Sequence, residues 1–162
     1  VTPTLRPMRG DSDLRHVTRS WVLSYRDSEA ARAVGIAQAR ASLLAAYATM
    51  LDDRPTKNGP ALLYYGAHEI LILKLLQRSD VTLACYPEDE DLILGWRCIE
   101  GSRLHYVCVK PDYRRDGIGR CLVSDLLGRS MTLTHWTDVC DRLPIPKTWK
   151  YHPTALKEAL AA

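Results

Sequence analysis

The 162-residue sequence predicts a mixed α/β (α+β) fold: a central mixed sheet with an antiparallel meander and flanking helices. Three observations carry that reading. Between Asp11 and Ser79, apolar residues recur at helical spacing in long alanine- and leucine-rich runs. From Val81 the period drops to two, across three β-branched and aromatic runs parted by turn residues. A further strand-like run, "MTLTHW" from Met131 to Trp136, follows a short leucine-rich segment. If that segment is a crossover helix, the run lies parallel to its predecessor.

The elements follow in order. "TLRPM" is extended, because Pro7 disfavours helix at the residue before it. Asp11 caps a helix to about Tyr25, with Leu14, Val17, Trp21, Val22 and Tyr25 forming one apolar stripe. Asp27 and Ser28 offer the cap of a long alanine-rich helix, with Gly35 a weak point. "DDRPTKNGP", Asp52 to Pro60, is a loop, and a third helix ends near Ser79. "VTLACY" and "LILGWRCIE" form a hairpin around the acidic turn "PEDED". Gly101 and Ser102 turn the chain into "RLHYVCV", and a helix to about Leu127 follows the turn "RRDGIG". The tail, with three prolines, reads as loop, short extended piece and terminal helical turn. One domain over residues 1–162 is expected, without repeats or low complexity.

Composition bounds the function classes. With 22 Lys+Arg against 19 Asp+Glu, a net charge of +3 argues against nucleic acid and is compatible with a small anion. The five cysteines, Cys85, Cys98, Cys108, Cys121 and Cys140, contain no CxxC pair. They suit neither a zinc site nor a disulfide framework, so no metal is expected and a reducing, cytoplasmic setting is. The first residues lack the apolar core of a signal peptide, and "ILILKLL" is too short to span a bilayer. A soluble protein without membrane partners is expected.

The turn "RRDGIG" stands where a strand meets a helix. A helix start exposes unpaired backbone N–H groups, and glycines let a phosphate approach them. Gly117 and Gly119 supply the glycines; Arg114, Arg115 and Arg120 surround them with charge. A Walker A loop is excluded because Arg120 and Cys121 replace its Lys-Ser/Thr. The dinucleotide fingerprint fails because Leu122 occupies its third glycine. What remains is Arg-x-x-Gly-x-Gly on Arg114, Gly117 and Gly119.

Preceded by Val107, Val109, Pro111 and Tyr113, this arrangement resembles motif A of the GNAT superfamily of N-acyltransferases. The resemblance covers about Val81 to Thr137. The fuller pattern, with "THWT" downstream, is similar to small GNAT-like proteins often carried by phages and prophages. The resemblance implies a GNAT fold whose parallel fourth and fifth strands splay apart, and acetyl-CoA as cosubstrate. The backbone of Val107, Cys108 and Val109 would pair with the pantetheine arm. N–H groups of Arg115, Asp116, Gly117, Ile118, Gly119 and Arg120 would hold the pyrophosphate, beside Arg114.

Acyl transfer to an amine needs a base, a stabilised oxyanion and an acid. By the resemblance, the Val107 N–H would face the carbonyl oxygen. Arg103 stands where many family members carry a glutamate, so the base stays open among Glu100, His105 and His135. His135 faces the cleft or its back according to a one-residue register. The usual acidic tyrosine is missing between Met131 and Lys150, leaving Tyr151 as the candidate. Cys140 as an acyl carrier is the less favoured route. Trp136, Trp149, Tyr64 and Tyr65 are candidates for an acceptor site or for the core. The expected activity is direct acetyl transfer to an amine whose identity the sequence does not disclose. The alternative is a GNAT-like protein that acts by binding a partner protein, and a homodimer is left open.

Overall fold

A computed structural model describes residues 2–24, 69–136, 140, 144–152 and 154–155. Strands β1 (Thr4–Pro7), β2 (Asp80–Tyr86), β3 (Asp89–Glu100), β4 (Arg103–Val109), β5 (Met131–Leu133) and β6 (Trp149–Tyr151) form one sheet in that spatial order. The first four are antiparallel, whereas β4, β5 and β6 run parallel. Helix α1 (Gly10–Ser24) and a helical stretch over residues 69–76, here α2, pack on one face. Helix α3 (Ile118–Val123), extended by a 3-10 turn over Ser124–Leu126, packs on the other. The predicted mixed α/β architecture is present. The expected helix from Asp27 and the loop at Asp52–Pro60 lie outside the described residues.

The apolar stripe of α1 is as spaced: Val17 and Trp21 are fully buried, with Leu14 and Val22 beside them. They meet Leu75 of α2 and Leu83, Trp96 and Cys98 of the sheet. The start of α1 corrects the sequence expectation. The helix opens at Gly10, whose φ is +59°, and Asp13 rather than Asp11 accepts the Arg9 N–H at 2.7 Å. Asp13 is drawn inward by Arg6, with an Nη2–Oδ1 hydrogen bond of 3.0 Å between two buried side chains. Arg6 also donates to the Glu90 carbonyl, so β1, α1 and β3 are tied together at one point.

The hairpin is tighter than the sequence suggested. Pro87 and Glu88 alone make the turn, and Asp89, Glu90 and Asp91 belong to β3. The register shifts on either side of Cys85 in the β2–β3 ladder and between Cys98 and Ile99 in the β3–β4 ladder. Gly95 marks the closest strand approach: a Cβ there would lie 2.6 Å from the Cys108 carbonyl oxygen and 3.3 Å from Leu122 Cδ1. Gly95→Ala is therefore expected to cost roughly 1–3 kcal/mol by overpacking against backbone that cannot yield. Denaturant unfolding measures it; wild-type stability in that variant would contradict the close approach.

Beneath the other face, Ile118 and Leu122 of α3 pack on Ala84 and Leu94, with Val107 and Val109 alongside. Arg97 fastens the far end of α3. Its guanidinium donates to the Leu122 carbonyl and pairs with Asp125, Nη2–Oδ2 2.9 Å. That hydrogen bond holds the Asp125 carboxyl below its ordinary range. The α-helical part ends at Val123 and the 3-10 turn carries the chain on to Leu126, close to the expected end near Leu127.

The strand predicted as "MTLTHW" is shorter. β5 ends at Leu133, with the Thr134 N–H still reaching the Leu104 carbonyl at 3.2 Å and the Thr134 hydroxyl between two histidine rings. The extended piece of the tail is β6, paired Met131↔Trp149 to Leu133↔Tyr151. No helix among the described residues is long and apolar enough to cross a membrane.

Candidate functional site

The parallel β4/β5 ladder consists of Arg103↔Thr132 and Leu104↔Leu133, closed by the Thr134 N–H on the Leu104 carbonyl at 3.2 Å. β4 continues for five more residues, to Val109. Its pairing with β3 shows which way those peptides point. Lys110 donates to the Leu94 carbonyl at 2.9 Å, so Cys108 and Tyr106 are the hydrogen-bonded partners of β3. Val107 and Val109 occupy the alternate positions, and their N–H and C=O groups point to the side that β5 has vacated. The Val109 carbonyl is met by Arg114 Nε at 3.2 Å. Among the described residues no strand meets Val107. This is an open strand edge, which a polar extended ligand can extend by main-chain hydrogen bonds.

The same strand runs directly into the turn. A 3-10 turn over Pro111–Tyr113 uses the Tyr113 and Arg114 N–H groups internally, on Lys110 and Pro111 carbonyls. Two left-handed residues then curl the chain, Arg115 at φ 74° and Gly117 at φ 80°. An arginine in that region is strained by about 1–2 kcal/mol, and such strain gathers at functional turns. The first helical bond is Cys121 N–H to the Gly117 carbonyl, 2.9 Å. The N–H groups of Ile118, Gly119 and Arg120 therefore have no helical acceptor. Among the described residues, those of Arg115, Asp116 and Gly117 have no backbone acceptor either.

The two glycines serve different needs. Gly117 answers to its positive φ, which L side chains rarely adopt. Gly119 has no such need: a Cβ there would meet only Val109 Cγ2, at an ordinary 3.6 Å. A helical glycine with no steric demand costs about 0.5–1 kcal/mol against alanine. Space above Gly119 is thus kept open at the fold's expense.

The candidate catalytic residues fall into two groups. Glu100, at the end of β3, accepts from Arg78 Nε at 2.6 Å and from His105 Nε2 at 3.3 Å, with Arg103 Nη1 3.7 Å away. Burial opposes its charge, but the hydrogen bonds from Arg78 and His105 prevail and hold its pKa below the ordinary value. His105 is only 1 % exposed. Its Nδ1 lies 3.0 Å from Thr134 Oγ1, so both ring nitrogens are engaged inside the protein. Desolvation lowers its pKa, against the opposing pull of Glu100. Direct contact of His105 with an incoming amine is closed off, which corrects the expectation of a strand-borne base at that position. The carboxylate of Glu100 is likewise committed to its cationic neighbours.

His135 stands just past β5, where the strands part. Its Nδ1 is 3.0 Å from the same Thr134 hydroxyl. Its ring meets Trp21 and Tyr106 edge-on, each at 5.9 Å between centroids. Those contacts place it on the α1 face, which answers the register question. Tyr106 and Trp96 stack beside it, with their polar atoms bonded to Ser24 and Ser20. Burial pushes the Tyr106 phenol up to about 12. Tyr151 lies on β6, one strand further out, against Trp136 at 5.7 Å. Trp149 packs against the cluster of Ile99, Leu126 and Met131, so it belongs with the core. Tyr64 and Tyr65 are outside the described residues.

Two participants were missed at sequence level. Thr134 links both histidines, and Arg78 neutralises Glu100. Nothing local marked Thr134: alternation puts it on the face of Thr132, opposite buried Met131 and Leu133, and yet it is 4 % exposed. Nothing local marked Arg78, 22 residues before its partner.

No family model matches the chain, and no curated protein matches it. Among solved structures, a proposed acetyltransferase of the GNAT family from Desulfovibrio desulfuricans is similar, with 15% sequence identity and a TM-score of 0.35. The match covers 76% of this chain and 62% of that chain, so the chain spans about three-fifths of its neighbour's length. At that TM-score the two folds overlap only in part, and no activity passes from one to the other.

Proposed function

We propose that the chain is a GNAT-type N-acetyltransferase that binds acetyl-CoA along the open edge of β4 and in the turn that follows it. The observation that carries this reading is continuity. The vacated peptide edge at Val107 leads, within one strand and one short turn, to six N–H groups that have no backbone acceptor among the described residues, set among three arginines. Val107 and the Val109 N–H hold the pantetheine arm at the open edge, whereas Cys108, also expected there, spends its main-chain groups on β3 and lies between them. Arg114, Arg115, Asp116, Gly117, Ile118, Gly119 and Arg120 hold the pyrophosphate, through main chain and guanidinium groups. Space over Gly119 fits such a group, because among the described residues only Val109 Cγ2, at 3.6 Å, comes within 4 Å of a Cβ placed there.

Bound there, acetyl-CoA supplies an activated acyl thioester. The chain's own residues do the rest. The Val107 N–H polarises the acyl oxygen, the apolar side chains of Val107 and Val109 exclude water from the α3 side, and His135 takes the proton of the amine. Tyr151 is the candidate proton donor. The binding-only reading is favoured by one observation, the replacement of a family glutamate by Arg103, which pairs with Glu100.

Mass spectrometry of a cell lysate treated with the protein and isotope-labelled acetyl-CoA tests the proposal. One or more amines should gain the labelled acetyl mass. Tight acetyl-CoA binding without any acetylated acceptor would transfer the case to partner binding.

A further inference from the structure

The β3–β4 ladder pairs Cys98 with Tyr106 and then Ile99 with Leu104, so His105 is an extra residue of β4 with no pairing partner in β3. Such a bulge interrupts regular pairing and re-aims a side chain. Its effect shows in the flanking residues. Strict alternation would put Leu104 and Tyr106 on one face, yet Leu104 packs with Leu126 and Leu133, and Tyr106 with Trp21 and Trp96. The bulge sits where β4 loses its second neighbour. The last bond from β5 is the Thr134 N–H on the Leu104 carbonyl, one residue before His105. Two residues after it, at Val107, no strand among the described residues pairs with that side. The His105 ring spans this point. It is 1 % exposed, with Nδ1 3.0 Å from Thr134 Oγ1, just past β5, and Nε2 3.3 Å from Glu100 Oε2, at the end of β3. Burial favours the neutral ring, and the Arg78 bond keeps Glu100 ionised. An ionised carboxylate only accepts, so Nε2 donates to Glu100 and Nδ1 accepts the Thr134 hydroxyl proton.

We propose that His105 is a positioning residue: its buried ring ties the end of β5 to β3 across the bulge, and so fixes where β4 and β5 part. Main-chain bonding from β5 lengthens towards this end, from 2.8 Å for the Thr132 N–H on the Ser102 carbonyl to 3.2 Å for the Thr134 N–H on Leu104. The ring adds a side-chain rung at the longer bond, anchored on a carboxylate that Arg78 holds at 2.6 Å. The clamp follows from this geometry alone; its consequence for transfer rests on the acetyltransferase reading. In that reading the thioester lies between β4 and the end of β5. A loosened clamp lets the Thr134 segment draw away from the Val107 N–H, which slows transfer. Binding of the CoA portion, on β4 and the turn, does not depend on β5 and is left intact.

Amide hydrogen exchange read by NMR tests the clamp in the protein without any ligand. His105→Phe keeps a ring in place and removes both nitrogens. Protection of the Thr134 amide should fall at least tenfold, while that of Thr132, bonded to the same strand, stays within about threefold. Thr134→Val removes the tie from the other side and should do the same, and Thr134→Ser should restore protection. The His105→Phe/Thr134→Val double variant should lose little more than either single one, because both remove one tie. Unchanged Thr134 exchange in His105→Phe would overturn the proposal. So would an equal loss at Thr132 and Thr134, which would reduce His105 to general packing. In an acetylation assay, His105→Phe should lower kcat at least tenfold, with calorimetric acetyl-CoA affinity within about threefold of wild type. Undiminished kcat beside an unprotected Thr134 amide would refute the positioning role. A wild-type protein that transfers no acetyl group, yet shows the selective exchange loss in His105→Phe, would reject the acetyltransferase reading and leave the clamp standing.

Discussion

Gly119→Glu is expected to lose at least a hundredfold in acetyl-CoA affinity, about 2.7 kcal/mol, while the protein stays folded. The site tolerates the side chain: φ is not in the left-handed region, and a Cβ meets nothing closer than 3.6 Å. The added carboxylate projects over the N–H groups of Ile118, Gly119 and Arg120, where the pyrophosphate is proposed to sit. Two unit charges at 4 Å repel by about 4 kcal/mol at an effective dielectric near 20, so one close contact exceeds the stated loss. Gly119→Ala separates the two roles of the position. It should raise unfolding stability by about 0.5–1 kcal/mol and yet weaken binding, because alanine suits a helix and crowds the ligand. Gly117 is a poorer probe, since its φ of 80° makes any replacement strained before a ligand arrives. Calorimetric titration of both variants, beside denaturant unfolding, gives the pair of numbers. Unchanged affinity in Gly119→Glu would remove the turn from the binding site.

Asp13→Asn is expected to destabilise the fold by roughly 3–5 kcal/mol, the usual cost of removing one partner of a buried ion pair. Arg6 is 6 % exposed and Asp13 7 %, and the amide would leave the guanidinium charge without its counter-ion. The Arg9 N–H would lose a charged acceptor at the start of α1 as well. Acid should reproduce part of this effect. The hydrogen bond from Arg6, aided by the Arg9 N–H, holds the Asp13 carboxyl below its ordinary value. A depressed folded pKa means that the folded state releases this proton more readily than the unfolded chain. Its contribution is therefore complete above the unfolded value, near pH 4, and is lost as the pH falls through the lower folded value. Glu100 and Asp125 are shifted the same way and add to the acid slope. Denaturant midpoints between pH 7 and pH 2 should fall less steeply for Asp13→Asn than for wild type. Parallel curves would show that the pair contributes nothing to the slope.

The antiparallel meander was legible because its evidence is local: β-branched alternation, a proline-bounded turn and Gly101–Ser102. The glycine turn was legible for the same reason. What the sequence concealed depends on partners far along the chain. Arg6 and Glu90 read as scattered charges until β1 and β3 bring them together 84 residues apart. Thr134 meets His105, 29 residues before it, and no local propensity encodes that contact. β6 is a three-residue extended piece that becomes a strand only against β5. The two glycines looked equivalent; only the backbone angles separate Gly117, which the turn requires, from Gly119, which the turn does not. His105 looked suitable as a base from its type and strand, whereas burial and two engaged nitrogens remove it from contact.

The central claim is that the open edge of β4 and the turn after it form one site for acetyl-CoA. Isothermal titration of the wild-type chain with acetyl-CoA tests it most directly. One saturable site is predicted, with a Kd on the order of micromolar, near −8 kcal/mol, and competition by CoA itself. Absence of any binding heat up to high micromolar acetyl-CoA, confirmed by an unchanged thermal midpoint at the same concentration, would contradict it.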